Sequence, residues 1–314
     1  MIRVGAIFPG QGSQMVGMAV DAAARFAPAA TLFEQAESVL GYDVLALVRE
    51  GPEERLRETQ VSQPAIFVAN LALFAAAGAE MVVTAGHSFG EFCSLVVAGS
   101  LDFQSALHVV DERARAMQEA AERSAGGMSA VLGLTTQQIR PIVDRLRERG
   151  GGVLELANFN SPTQIVLSGD LAALRVAGDA LLEAGAKRVV PLNVSGAWHS
   201  ELMRPAVARF ARAVDEARFE IPRFDVISNV DGSPYRDVTR IKECLVQSLT
   251  GEVRWHEAAL ALLRYDLDLV AEFGASPVLS ALMRRMEGTP RTIAVSDADG
   301  AQALRGLVTA AARV

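Results

Sequence analysis

The chain has 314 residues, half of them apolar and 21% charged, with a formal net charge of −7, so it is long enough for one large domain with an insertion or for two domains. The acidic balance, with no basic stripe long enough to follow phosphates, excludes nucleic acid as the main partner. Two cysteines far apart, Cys93 and Cys244, make neither a disulfide framework nor a metal-ligand spacing, and both read as reduced core thiols.

In chain order, Arg3 is followed at once by a buried strand over residues 4–8, with no signal-peptide pattern, and no apolar run reaches transmembrane length. The chain is therefore expected in the cytoplasm. Pro9-Gly10-Gln11-Gly12-Ser13-Gln14 is a glycine-rich turn that opens a helix from about Met15. Helical periodicity covers 29–40, 63–77 and 102–123, with strands in between. From Gly126 the texture changes, with Gly126-Gly127 as a hinge. A strand over 128–134, a helix over 136–148 and a strand pair over 153–158 and 164–168 follow, the pair turning at Asn160-Ser161-Pro162. A helix over 171–184 and a strand over 188–192 complete a βαββαβ unit of ferredoxin-like order. A helix-like run over 200–217 begins the return to the main body, which ends with strands near 226–228 and 267–272 and helices from Pro277 and Asp297. The expected fold is α/β: a large α/β-hydrolase-like domain, 1–125 with 193–314, carrying a ferredoxin-like subdomain at 126–192.

Gly86-His87-Ser88-Phe89-Gly90 places a serine between two glycines, just after the apolar run Met81-Val82-Val83-Thr84-Ala85 and just before a buried helix. A sharp strand-to-helix turn there lifts the Ser88 hydroxyl out of the backbone, as a nucleophile requires; the plainer alternative is a serine that caps a helix. A nucleophilic serine needs a base, and the chain offers His87, His108, His199 and His256. His87 adjoins Ser88 and is expected to pack or orient the turn. His108 falls mid-helix among apolar residues and reads as structural, and His256 follows Trp255 at a helix start, where capping or exposure accounts for it. His199, in Ser195-Gly196-Ala197-Trp198-His199-Ser200 between a strand and a helix, is the favoured base. Acyl transfer also needs oxyanion donors. The Phe89 N–H is one candidate, and a second is expected from the turn Pro9 to Gln14, which is otherwise a simple tight turn.

Phe8-Pro9-Gly10-Gln11-Gly12-Ser13-Gln14, Gly86-His87-Ser88-Phe89-Gly90-Glu91, Asn158-Phe159-Asn160-Ser161-Pro162 and Ala197-Trp198-His199-Ser200 together resemble the malonyl-CoA:acyl-carrier-protein transacylases. These include stand-alone fatty-acid enzymes and the acyltransferases of polyketide synthases. The resemblance extends from the first strand to at least Val253-Arg254-Trp255. It implies a ping-pong reaction in which Ser88 takes malonyl from malonyl-CoA and a carrier protein's phosphopantetheine thiol collects it. It further implies His199 as general base and acid, the N–H groups of Gln11 and Phe89 as oxyanion hole, and Arg113 as the partner of the malonyl carboxylate, with Arg115 as the fallback. The bland reading of Arg113 is a helix-surface residue paired with Asp111 or Glu112. No metal or tightly held cofactor is implied, and the partners are a CoA thioester and an acyl carrier protein.

Three positions depart from the pattern. Phe89 replaces a common leucine and Trp198 a common phenylalanine, adding bulk near the acyl pocket and disfavouring α-substituted units such as methylmalonyl. The glutamine that supports the histidine loop falls on Ser248, with Gln247 one place early, so a one-residue helix shift or a shorter Ser248 hydrogen bond is expected. Lys187-Arg188, Arg204 and Arg284-Arg285 are candidate contacts for an acidic carrier, or else solvated faces. The competing readings are an acyl hydrolase that clears carrier proteins, a carrier-to-carrier acyltransferase of a polyketide pathway, and a non-catalytic docking module.

Overall fold

A computed structural model describes residues 2–311. Its centre is a five-stranded parallel sheet of β1 (Val4–Phe8), β2 (Val83–Gly86), β7 (Asp225–Ile227), β8 (Leu269–Phe273) and β9 (Arg291–Val295), in the order β7-β2-β1-β8-β9. Strands of a parallel sheet are covered on both faces and so read as unbroken apolar runs; β1 and β8 are buried at all five positions. Glu272 is the exception inside β8, and its carboxylate accepts the N–H groups of Leu279 at 2.8 Å and Ser280 at 2.7 Å. It thereby satisfies donors that the start of the helix Val278–Met283 leaves open.

The helix Thr59–Ala77 is apolar on nearly every side, which corrects the expectation that no apolar run reaches transmembrane length. By length and composition it is sufficient to cross a membrane, but most of it is buried inside the protein, as befits the core helix of a large α/β domain. It packs against the helix Phe103–Ala121.

The second sheet is antiparallel, built from β3 (Gly126–Leu132), β4 (Leu154–Ser161), β5 (Gln164–Asp170) and β6 (Arg188–Pro191) in the order β4-β5-β3-β6. With the helices Thr136–Glu148 and Leu171–Glu183 it has the βαββαβ order and strand arrangement of a ferredoxin-like unit, and its own apolar cluster around Val131, Ile139, Leu156 and Leu167. The fold is α/β with this inserted unit. β4 is bonded to the segment that precedes the helix Trp255–Leu262: Phe159 N donates to Val253 O at 2.9 Å and Val253 N to Ala157 O at 2.8 Å.

Other sequence expectations are corrected by local geometry. Gly126-Gly127, read as a hinge from the sequence, opens β3 and is paired in register with Asp170 and Gly169. The helix expected from Met15 starts at Val20, because Gly17 adopts a positive φ and donates to Val48 O at 2.7 Å. The run over 200–217 is a short 3-10 turn, Glu201–Met203, followed by the helix Arg204–Glu216, with proline in its first turn. The helices Val44–Glu50, Glu53–Arg57 and Val238–Gln247 and strand β9 are additions to the expected elements. Cys93 and Cys244 are buried free thiols.

Candidate active site

The loops that leave the C-terminal ends of β1 and β2 and the helix Val278–Met283 that follows β8 line a cavity of about 650 Å³, with the antiparallel sheet and the His199 loop completing its wall. That end of an open parallel sheet is where such folds bind ligands. β2 ends at Gly86, and the helix Gly90–Val97 starts four residues later. The turn is this tight because its glycines have no side chains: a Cβ on Gly86 would lie 2.0 Å from the Gly90 carbonyl carbon, and one on Gly90 2.3 Å from Phe8 O. Ser88 stands at the apex with φ of 53°, a left-handed conformation that costs a non-glycine residue about 1–2 kcal/mol.

Ser88 Oγ is 2.8 Å from His199 Nε2, and His199 Nδ1 is 2.7 Å from Ser248 O. A carbonyl only accepts, so Nδ1 carries the proton, Nε2 is the free lone pair, and the Ser88 hydroxyl donates to it. His199 is 5% exposed. Burial first, then the neighbouring Arg113 charge, push its pKa down to about 3, which keeps the imidazole neutral as a base requires. Its own φ is 61°, so base and serine are both held in strained backbone.

Arg113 is 1% exposed. Nη1 donates to Gln63 Oε1 at 2.6 Å and Nη2 to Ser88 Oγ at 3.3 Å, with Phe210 beneath the guanidinium at 6.0 Å. No carboxylate forms a salt bridge with it among the described residues. Burial lowers its pKa to about 10, opposed by the charge of Glu91, so it remains a cation facing the serine. Arg115 has the surface role instead, bonded to Asp111 at 2.8 Å. Gln63 Nε2 approaches Gln11 Oε1 at 3.5 Å, and Gln11 Nε2 donates to Thr59 Oγ1 at 2.9 Å. The glycine-rich turn and the arginine are thus linked through one polar chain.

Phe89 and Gln11 line the cavity. Trp198, 4% exposed, lines it too. Ser248 does not: its contribution is the backbone carbonyl on His199, while its hydroxyl donates to Leu245 O at 2.8 Å. The expected side-chain bond is therefore corrected; the group that meets His199 belongs to the helix C-cap, where carbonyls lack helical partners. Gln247 is exposed. His87 orients the turn, its Nε2 3.0 Å from Asn160 Oδ1 and its ring against Trp255. His108 is exposed rather than part of the core, and His256 is half-buried in the first turn of the helix Trp255–Leu262. Of the five basic residues named for docking, Arg285 lines the cavity, joined there by Arg57. Arg204 pairs with Glu201.

Sequence reasoning missed Gln63 and Asn229. Gln63 was visible as one of few polar residues in an apolar helix, which a buried charge must meet with a partner. Asn229 had no local signal, since its contacts with Ser88 and Glu91 span more than a hundred residues.

Residues 6–299 match the acyl transferase domain family. The malonyl CoA-acyl carrier protein transacylase of Haemophilus influenzae is 38% identical over 302 residues, 95% of this chain and 96% of that protein. An acyl carrier protein S-malonyltransferase from Vibrio cholerae superposes with a TM-score of 0.91 at 38% identity, covering 96% of this chain and 99% of that one. A malonyl-transacylase solved in complex with a type II polyketide synthase acyl-carrier protein does so with a TM-score of 0.92 at 36% identity, covering 97% and 99%.

Proposed function

The chain belongs to the acyl transferase family, and we propose that it moves a malonyl group from malonyl-CoA to the phosphopantetheine thiol of an acyl carrier protein through an acyl-Ser88 intermediate. Ser88 Oγ attacks the thioester carbonyl while His199 Nε2 takes its proton; the oxyanion forms against the N–H groups of Gln11 and Phe89. The tetrahedral intermediate collapses, His199 returns the proton to the CoA sulfur, and the thiol leaves. The carrier thiol then enters by the same route, giving its proton to His199 and taking the malonyl group from Ser88, whose Oγ leaves with that proton returned by His199. Arg113 grips the distal carboxylate in a two-pronged way, and no cofactor is needed.

The observation that carries this reading is the buried Arg113, with no acidic salt-bridge partner among the described residues and a nitrogen 3.3 Å from Ser88 Oγ. A hydrolase of neutral acyl chains gains nothing from such a cation. The same reading takes 1–125 with 193–314 as the catalytic domain and 126–192 as a subdomain that closes one wall of the cavity. It places Arg57 and Arg285 at the approach of an acidic carrier or of CoA phosphates, and the protein in the cytoplasm. The test is transfer of label from malonyl-CoA to a phosphopantetheinylated carrier protein by wild type and by Ser88→Ala. Wild-type transfer that the variant loses supports the reading; label released as free malonate in place of carrier-bound product contradicts it.

A further inference from the structure

Glu91 is 1% exposed and no cation pairs with it directly among the described residues. Burying a carboxylate is costly, and burial pushes its pKa up to about 7 in spite of the donors around it. Those donors are specific. Oε2 accepts from Asn229 Nδ2 at 2.7 Å, and Oε1 accepts from Asn229 N at 3.2 Å and from Tyr235 Oη at 2.7 Å.

Asn229 follows β7, the neighbour of β2, so its side chain reaches the apex of the Ser88 turn. Its Oδ1 accepts the Ser88 N–H at 3.2 Å, and its Nδ2 donates to Ser88 O at 3.3 Å. One amide thus holds both backbone polar groups of the strained residue. An amide also has a flipped orientation, which would set Nδ2 against the Ser88 N–H, donor to donor. The Ser88 N–H and C=O already oppose that flip, and an acceptor beside Nδ2, here Glu91 Oε2, adds a third opposing contact. A carboxylate is acceptor-only; a glutamine would present an N–H to at least one of its three donors.

Resting on the reading of Ser88 as nucleophile, we propose that Glu91 is a positioning residue for the transfer, acting through Asn229. It fixes the amide that clamps the Ser88 backbone and so sets Oγ between His199 Nε2 and Arg113. The clamp touches no substrate, so its loss lowers kcat and leaves the KM for malonyl-CoA alone.

The experiment compares wild type, Glu91→Gln, Asn229→Asp, the double variant Glu91→Gln/Asn229→Asp, Tyr235→Phe and Ser88→Ala. Single-turnover acylation by malonyl-CoA is measured, with near-ultraviolet circular dichroism as a check of the fold. Each of the first two single changes is expected to lower acylation kcat about tenfold to a hundredfold, the scale of a misplaced reacting group, with KM within about twofold. In the double variant the amide introduced at position 91 donates to the carboxylate introduced at position 229. This removes the carboxylate–carboxylate contact made by Asn229→Asp, although the new carboxylate still faces Ser88 O, so the double variant is expected to recover at least about fivefold over Asn229→Asp alone. Tyr235→Phe removes one donor from Glu91 without a mismatch, and covers the case in which Glu91→Gln does not fold; its expected loss is about threefold in kcat. The proposal is overturned if folded Glu91→Gln, or Tyr235→Phe in its place, acylates at the wild-type rate, if the losses fall on KM, or if the double variant recovers nothing. Acylation that survives in Ser88→Ala instead overturns the nucleophile reading.

Discussion

Arg113 reaches past the serine it serves: Nη2 lies 3.3 Å from Ser88 Oγ while Nη1 is fixed by Gln63 at 2.6 Å. On the proposed reading, this cation held beside the nucleophile is the partner of the distal carboxylate that malonyl has and acetyl lacks. Truncating the buried partner of a charge costs roughly 2–5 kcal/mol or more, so Arg113→Ala is expected to lower the malonyl-to-acetyl ratio of kcat/KM by about thirtyfold or more. Gln63→Glu is expected to raise the KM for malonyl-CoA, because its carboxylate competes for the guanidinium. Equal losses on both substrates in Arg113→Ala, measured by acylation kinetics, remove it from this role.

The pH dependence follows from His199. Its folded pKa, about 3, lies below the ordinary value of 6.5, so the neutral base persists as pH falls through 6. The kcat/KM profile is therefore expected to show no acid inflection near 6.5 from this residue. The same shift sets a stability term. Between 6.5 and about 3 the unfolded chain protonates this imidazole and the folded protein does not, so the unfolded state binds more protons and stability is lost as the pH is lowered, by about 1.4 kcal/mol per unit for this group. Glu91, raised to about 7, works in the opposite direction over pH 4.5 to 7, so the whole protein reports the sum. His199→Gln isolates the histidine term. In thermal unfolding, any loss of stability between pH 6.5 and pH 5 should be larger for wild type than for the variant; equal changes would remove the histidine term.

Gly86→Ala tests the turn. Its Cβ would meet the Gly90 carbonyl carbon at 2.0 Å, which no rotamer relieves because the obstacle is backbone. The expected result is loss of Ser88 acylation together with a destabilisation above about 3 kcal/mol, read from urea unfolding. A variant of wild-type stability would show that the turn has room it lacks here.

Trp198 tests selectivity. The ring is 4% exposed at the cavity, and a Cβ on Gly196 would lie 2.6 Å from its edge, so the indole is held from behind. Trp198→Phe removes bulk beside the acyl site. It is expected to raise the methylmalonyl-to-malonyl ratio of acylation rates by about tenfold, the scale of one or two methylene groups. An unchanged ratio assigns the discrimination elsewhere.

The nucleophile turn and the parallel core were legible in the sequence because both are local: two glycines around Ser88 after an apolar run, and apolar strands at β1 and β8. The βαββαβ unit was legible for the same reason, through its periodicity and its hairpin turn. What stayed hidden is long-range. The support of His199 by Ser248 passes through a backbone carbonyl, which no side-chain pattern reveals, and the clamp of Asn229 on Ser88 exists only because β7 pairs with β2. Strand β9 was hidden by its half-exposed edge position, which lacks the unbroken burial of β1. The long apolar helix Thr59–Ala77 shows the converse: composition alone cannot tell a core helix from a membrane span.

The most direct test of the central claim is intact-protein mass spectrometry of wild type and Ser88→Ala after brief mixing with malonyl-, methylmalonyl- and acetyl-CoA in parallel, followed by a phosphopantetheinylated carrier protein. Wild type is expected to carry a malonyl adduct, with far less of the other two, that is absent from Ser88→Ala and passes to the carrier. An adduct that persists in Ser88→Ala, or one that never reaches the carrier, would contradict it.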